Sequence, residues 1–306
     1  MTTPQLSQPL ADVAAGTPSN PAPPAAGPPR STSLREAVTF VGLVFVIVTG
    51  TALALPHAGF ITPMLAMQTP VLVVLLITVF ETARGRRGAL LSSLGVRRLG
   101  LRSWPVAFAV AAVAILVLPY SAAVALGSAA LAPLNSSAGF WFGSAASVVI
   151  DLAIGTVLLL GEEIGWRGYL LPRVQALTSK RWAALAVGFV HGLFHLPLIL
   201  LTTTYDSVGS RWVVAPMVVV TVTLAGVIYG WLRDRSGSVW PVAVAHATIN
   251  NLIAGGGLII VVAPVTLAYT AGESGVATLV AVLGFAAVLL VRGSTWRSSV
   301  ASATTR

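Results

Sequence analysis

Three short stretches in the second half of the chain hold the residues best suited to chemistry. Glu162, Glu163 and Arg167 lie in the first, His191 and His195 in the second, and His246, Asn250 and Asn251 in the third. A carboxylate beside imidazoles suits general-base activation of water. A further histidine and an amide supply donors for the oxyanion of a tetrahedral intermediate. Together they form a hydrolase set, and the apolar surroundings make a peptide bond within or beside a membrane its natural substrate. The same groups could bind a divalent metal. Zinc takes His and Glu ligands and keeps one position open in catalytic sites; Glu162, His195 and His246 would supply three ligands, with His191 a candidate fourth. The chain has no cysteine, which excludes thiol nucleophiles, disulfide frameworks and cysteine–metal sites. HExxH is absent, because Gly192, Leu193 and Phe194 stand between His191 and His195, and neither a GxSxG elbow nor an intramembrane Gly-Asp pair occurs.

Spacing predicts how these groups divide their roles. Glu163 and Arg167 are four apart with the acid first, the favoured order for an ion pair along a helix. Glu162 points about 100° away and cannot share that partner equally. One carboxylate is thus expected to be neutralised structurally while its neighbour is free for chemistry. His191 and His195 share a helix face, as do His246 and Asn250, whereas Asn251 faces elsewhere. Asp151, three turns before Glu162, reads as structural or water-lining. Gly161/Gly165, Gly188/Gly192 and Gly226/Gly230 are small-xxx-small pairs, which let helices approach closely in lipid.

The elements that carry these residues are membrane spans. Of the 306 residues 56% are hydrophobic and only 9% charged, with a mean hydropathy of +0.88; soluble domains carry roughly 25% charged residues. Apolar runs near 20 residues recur along the chain, the length a helix needs to cross a bilayer. Eight spans are expected, near 37–56, 62–80, 104–127, 145–164, 183–201, 213–232, 239–262 and 276–291, with Gly255, Gly256, Gly257 and Pro264 able to break the seventh. The fold class is therefore all-α, a polytopic helix bundle. If the gaps alternate between two sides, 17 of the 18 basic residues fall on one side and only Arg211 on the other. The positive-inside rule then puts both termini in the cytoplasm of a multi-pass cell-membrane protein. The net charge of +9 reads as topology, with lipids and a peptide or membrane-protein substrate as partners and no nucleic acid. Residues 1–34, with eight of the 19 prolines before position 31, read as a disordered cytoplasmic tail. A transmembrane domain over 35–295 and a short tail over 296–306 complete the chain.

Ionisable groups inside a span cost a few kcal/mol each and mark function by default. Counting from the basic anchor of each helix at about 1.5 Å per residue, Glu162 and His246 lie roughly 16 Å in and His195 roughly 21 Å in. Three helices thus place their polar groups in one layer, which predicts a single buried site reached from the cytoplasmic side or laterally from lipid.

The segment GEEIGWRGYLLPR (Gly161 to Arg173), followed by HGLFHLPL and HATINN, resembles the bacterial CPBP family of CAAX-processing and bacteriocin-processing (Abi) enzymes, related to the Rce1-type prenyl protease. The motifs that carry it are EExxxR at Glu162, Glu163 and Arg167, an aromatic-xxx-His at His191 and His195, and HxxxN at His246 and Asn250, over roughly 145–255. In this chain His191 replaces the aromatic residue. The resemblance implies an intramembrane endopeptidase, often labelled a metalloprotease. Glu162 and His195 would activate water, His246 and Asn250 would form the oxyanion site, and Glu163 and Arg167 would hold the motif. A non-catalytic scaffold or bacteriocin-immunity protein of the same fold is the alternative. A proton-coupled transporter would need an inverted repeat, and residues 35–140 hold no second copy of the polar motifs.

Overall fold

The computed structural model describes residues 30–133, 135, 137–204, 209–255, 260, 261 and 263–296. The expected N-terminal tail up to residue 29 and the C-terminal tail from 297 onward lie outside them. Helix α1 (Arg30–Ala54) takes in the last five residues of the expected N-terminal tail. It is followed by α2 (Ile61–Leu76), the short surface helix α3 (Arg84–Ser93), and α4 (Trp104–Ala112) with α5 (Leu118–Ala125), joined by a π-helical turn. The site-bearing half begins with α6 (Ala138–Glu163), a π-helical segment (Ile164–Leu170) and α7 (Leu171–Gln175). It continues through α8 (Lys180–Phe194), α9 (Leu196–Leu201), α10 (Arg211–Ser236), α11 (Trp240–Gly255), α12 (Pro264–Thr270) and α13 (Val276–Val291).

Among the described residues, six helical stretches are long and apolar enough to cross a membrane: Arg30–Ala54, Ile61–Phe80, Leu101–Ala125, Ala138–Gln175, Lys180–Leu201 and Arg211–Ser236. The last two expected spans correspond to 16-residue helices, α11 and α13. The seventh is shorter than expected: α11 ends at Gly255, within the glycine run, and Ile260–Val261 pairs antiparallel with Ala130–Leu131. The chain is an all-α, multi-pass membrane bundle. Apolar side chains cover its outside, as lipid requires, among them Val38, Val46, Phe142, Val149 and Val157.

Tertiary hydrogen bonds sort the connections into two ends. At one end Arg233 donates to the Ser93 carbonyl and Trp240 to that of Val96, Lys180 pairs with Asp234, Arg173 with Glu36, and Trp231 donates to the Thr295 carbonyl. Every expected basic gap with described residues meets there. At the other end the Thr203 N–H donates to the Pro56 carbonyl and the Ser210 N–H to the Tyr269 hydroxyl; Arg211 lies at this end.

Helix α8 packs most extensively on α10, and α11 on α6 and α4. The α8–α10 contact is backbone on backbone: a Cβ at Gly188 would strike the Thr223 carbonyl and Gly226, and one at Gly226 would strike Gly188. Only glycine permits this approach, and it fixes the rotation of α8 one turn from His191.

Candidate active site

Two local irregularities set the catalytic-motif side chains. Directly after Glu163 the chain widens into the π-helical segment Ile164–Leu170. Such segments are uncommon and often sit at functional sites; Pro172, which has no N–H to donate, stands where α-geometry resumes. Periodicity alone does not reveal this segment. In the second motif α8 stops at Phe194 and α9 starts at Leu196, with Pro197 at its first turn. Pro197 cannot donate to the Leu193 carbonyl, so the helix breaks at His195, a signal the sequence carried.

The structure brings Glu162, His191, His195, His246 and Asn250 to the wall of one cavity of about 280 Å³. Glu162 and His191 are buried, at 3% and 1% exposure. Glu163 and Arg167 are buried beside them, as a pair 3.1 Å apart. Arg167 Cζ also sits 4.7 Å over the Tyr229 ring.

The hydrogen bonds assign tautomers. Arg167 Nη1 lies 3.2 Å from His191 Nδ1; a guanidinium only donates, so Nδ1 accepts and the ring proton is on Nε2. That Nε2–H donates to Glu162 Oε2 at 2.8 Å. Trp166 Nε1 also donates to Oε2, at a longer 3.4 Å, which leaves Oε1 for a water. His195 Nδ1 is 3.0 Å from the His191 carbonyl and therefore donates to it, leaving Nε2 as acceptor in the neutral ring. His246 Nδ1 donates to Glu163 Oε1 at 2.9 Å, and its Nε2 remains. Asn251 Nδ2 donates to the Ala247 carbonyl of its own helix, whereas Asn250 is on the cavity wall.

The structure adds partners to both carboxylates. Glu162, outside the Glu163–Arg167 pair as its spacing predicts, is bonded to His191. Glu163 is not merely half of an Arg pair, since it also holds His246. His191 does keep the place of a planar ring, lying 5.1 Å from Trp166 at a 32° tilt, while adding bonds that a carbon ring could not make. Asp151 stands away from the site and accepts from Ser147.

The expected zinc ligands Glu162, His195 and His246 do not form a ligand set as placed. Among the described residues no three His, Asp or Glu side chains are arranged to hold one ion. Glu162 Oε2 is bonded to His191 and Trp166, and His246 Nδ1 to Glu163.

Sequence reasoning missed Tyr229, whose ring stacks 5.4 Å from that of His246, and Glu273, which lines the cavity from the α12–α13 connection. An acid placed between helices carries no helical-face signal, so its approach to the site depends on tertiary folding.

Residues 143–252 match the family model described as Type II CAAX prenyl endopeptidase Rce1-like. That stretch, 110 of the 306 residues, holds all three motifs and is consistent with their resemblance to the CPBP enzymes. No curated protein matches the chain.

Proposed function

We propose that this protein is an intramembrane endopeptidase of the CAAX-protease type, cleaving a peptide bond of a membrane-associated substrate with water activated by Glu162. The observation that carries the reading is the buried Glu162 carboxylate: His191 and Trp166 hold one oxygen, and the other is left for water on a cavity wall shared with His195, His246 and Asn250.

The chain's own residues account for the steps. Glu162 Oε1 takes a proton from water as the hydroxide oxygen attacks the scissile carbonyl carbon. His195 Nε2, an acceptor in the tautomer set by the His191 carbonyl, can orient that water. The oxyanion is met by the Asn250 amide and by His246 in its imidazolium form, in which Nδ1–H stays on Glu163 Oε1 and Nε2–H donates to the oxyanion. As the C–N bond breaks, the proton on Glu162 passes to the leaving amine, restoring the carboxylate. Glu163 and Arg167 position the set, one through His246 and the other through His191. We also propose that both termini are cytoplasmic, the side that the positive-inside rule assigns to the basic connections.

The test is peptide cleavage by the purified full-length protein in proteoliposomes, read by mass spectrometry against a library of membrane-anchored peptides. Glu162→Gln is expected to lower turnover by about 10²–10⁴-fold, the usual contribution of a general base. Unchanged turnover in that variant would sink the mechanism.

A further inference from the structure

The two ends of the site differ in closure. Toward the basic end, Glu163, Arg167, Trp166, Tyr169 and Leu232 are each at most 1% exposed, and Gly168 lies against the Leu94 backbone at the end of the α3 segment. Toward the other end the side chains open in sequence. On α8 and the break after it, His191 is buried and His195 half-buried; on α11, His246 is buried and Asn250, one turn later, is exposed. The cavity continues past them to Pro63 in the first turn of α2, Thr204 before α10, and Glu273 between α12 and α13. Those are the connections tied together at the end that holds Arg211.

We infer that the site is reached from the face opposite the basic connections, through a mouth formed by Pro63, Thr204 and Glu273, so that its substrate is a peptide segment presented on the outer side of the membrane. The inference rests on the endopeptidase reading for the word substrate, but the route is a property of the cavity. By the positive-inside rule the basic end is cytoplasmic, and there the buried Glu163–Arg167 pair with its aromatic neighbours forms a plug, leaving no passage from that side to Glu162.

The cysteine-free chain allows a direct test with single-cysteine full-length variants in intact cells. A membrane-impermeant maleimide added outside is expected to label Thr204→Cys and Glu273→Cys at once, and Ser92→Cys on α3 only after permeabilisation. A small charged methanethiosulfonate added outside is expected to reach Asn250→Cys. After purification, the bulky adduct at Thr204→Cys should abolish cleavage and the adduct at Ser92→Cys should not. Labelling of the mouth cysteines only after permeabilisation, failure to reach Asn250→Cys from outside, or full cleavage with the Thr204→Cys adduct in place would each overturn the route. If unmodified Thr204→Cys and the parent protein cleave nothing, the endopeptidase reading fails, while the labelling pattern still decides the route.

Discussion

His191 Nε2 lies 2.8 Å from Glu162 Oε2, and this bond joins the two carboxylates of the EExxxR motif into one buried network. Arg167 holds Glu163 with one nitrogen and offers the same nitrogen to His191; His191 passes a donor on to Glu162. The histidine at the family's aromatic position therefore keeps the stacking against Trp166 and adds a polar link between the structural ion pair and the proposed base.

The link can be separated from the stacking. His191→Phe retains a ring against Trp166 but removes the donor to Glu162 and the acceptor for Arg167. A hydrogen bond to a charged group contributes about 1.5–3 kcal/mol, so kcat should fall about 10–100-fold with the melting temperature nearly retained. His191→Ala should lose both. Steady-state kinetics beside thermal unfolding in detergent separates the two; equal loss of stability in both variants would assign His191 to packing alone.

Breaking the buried pair should cost stability first. Arg167→Met leaves the Glu163 carboxylate without its cation, and removal of one partner of a buried pair typically costs about 3–5 kcal/mol. It also removes the contact with Tyr229. The expected result is a lower unfolding midpoint, read by loss of helical circular dichroism on heating, with a milder loss in Glu163→Gln, which can still accept from His246.

The adjacent asparagines should behave differently. Asn250→Ala removes a proposed oxyanion donor and is expected to lower kcat by about 10²–10³-fold with little change in KM. Asn251→Ala should stay close to the parent, since that amide is spent on the Ala247 carbonyl. Equal losses in both would remove the distinction that the structure draws.

Helix approach is open to a packing test. Gly188→Val would drive side-chain atoms into the Thr223–Gly226 backbone; overpacking of this kind costs about 1–3 kcal/mol or more. Because His191 is one turn away, activity should fall together with stability, and Gly284→Val on α13, where a Cβ meets nothing within 4 Å, should be silent in both assays.

Chelation addresses the metal label directly. With Glu162, His195 and His246 not arranged as a ligand set, cleavage should survive treatment with a chelator, and metal analysis should find no stoichiometric zinc. Loss on chelation with recovery on added zinc would require these side chains to rearrange.

The spans, the shared depth of the polar groups, and the Glu163–Arg167 pair could all be read along the chain, because each depends on local quantities. Lipid cannot satisfy a backbone, so apolar run length sets where helices form; rise per residue sets depth, and i,i+4 spacing sets the pair. The grouping of basic gaps at one end followed from the same alternation. What only the tertiary structure decided was lateral: that His191 rather than His195 meets Glu162, that His246 turns to Glu163, that Tyr229 and Glu273 join the cavity, and that the cavity closes toward Leu94 and opens toward Thr204. Those outcomes depend on how far each helix is rotated about its axis. That rotation is set by contacts such as Gly188 on Gly226, by the π-helical turn after Glu163, and by the break before Pro197. None of these changes a helix's depth or length, so the sequence pattern that locates the spans is insensitive to them.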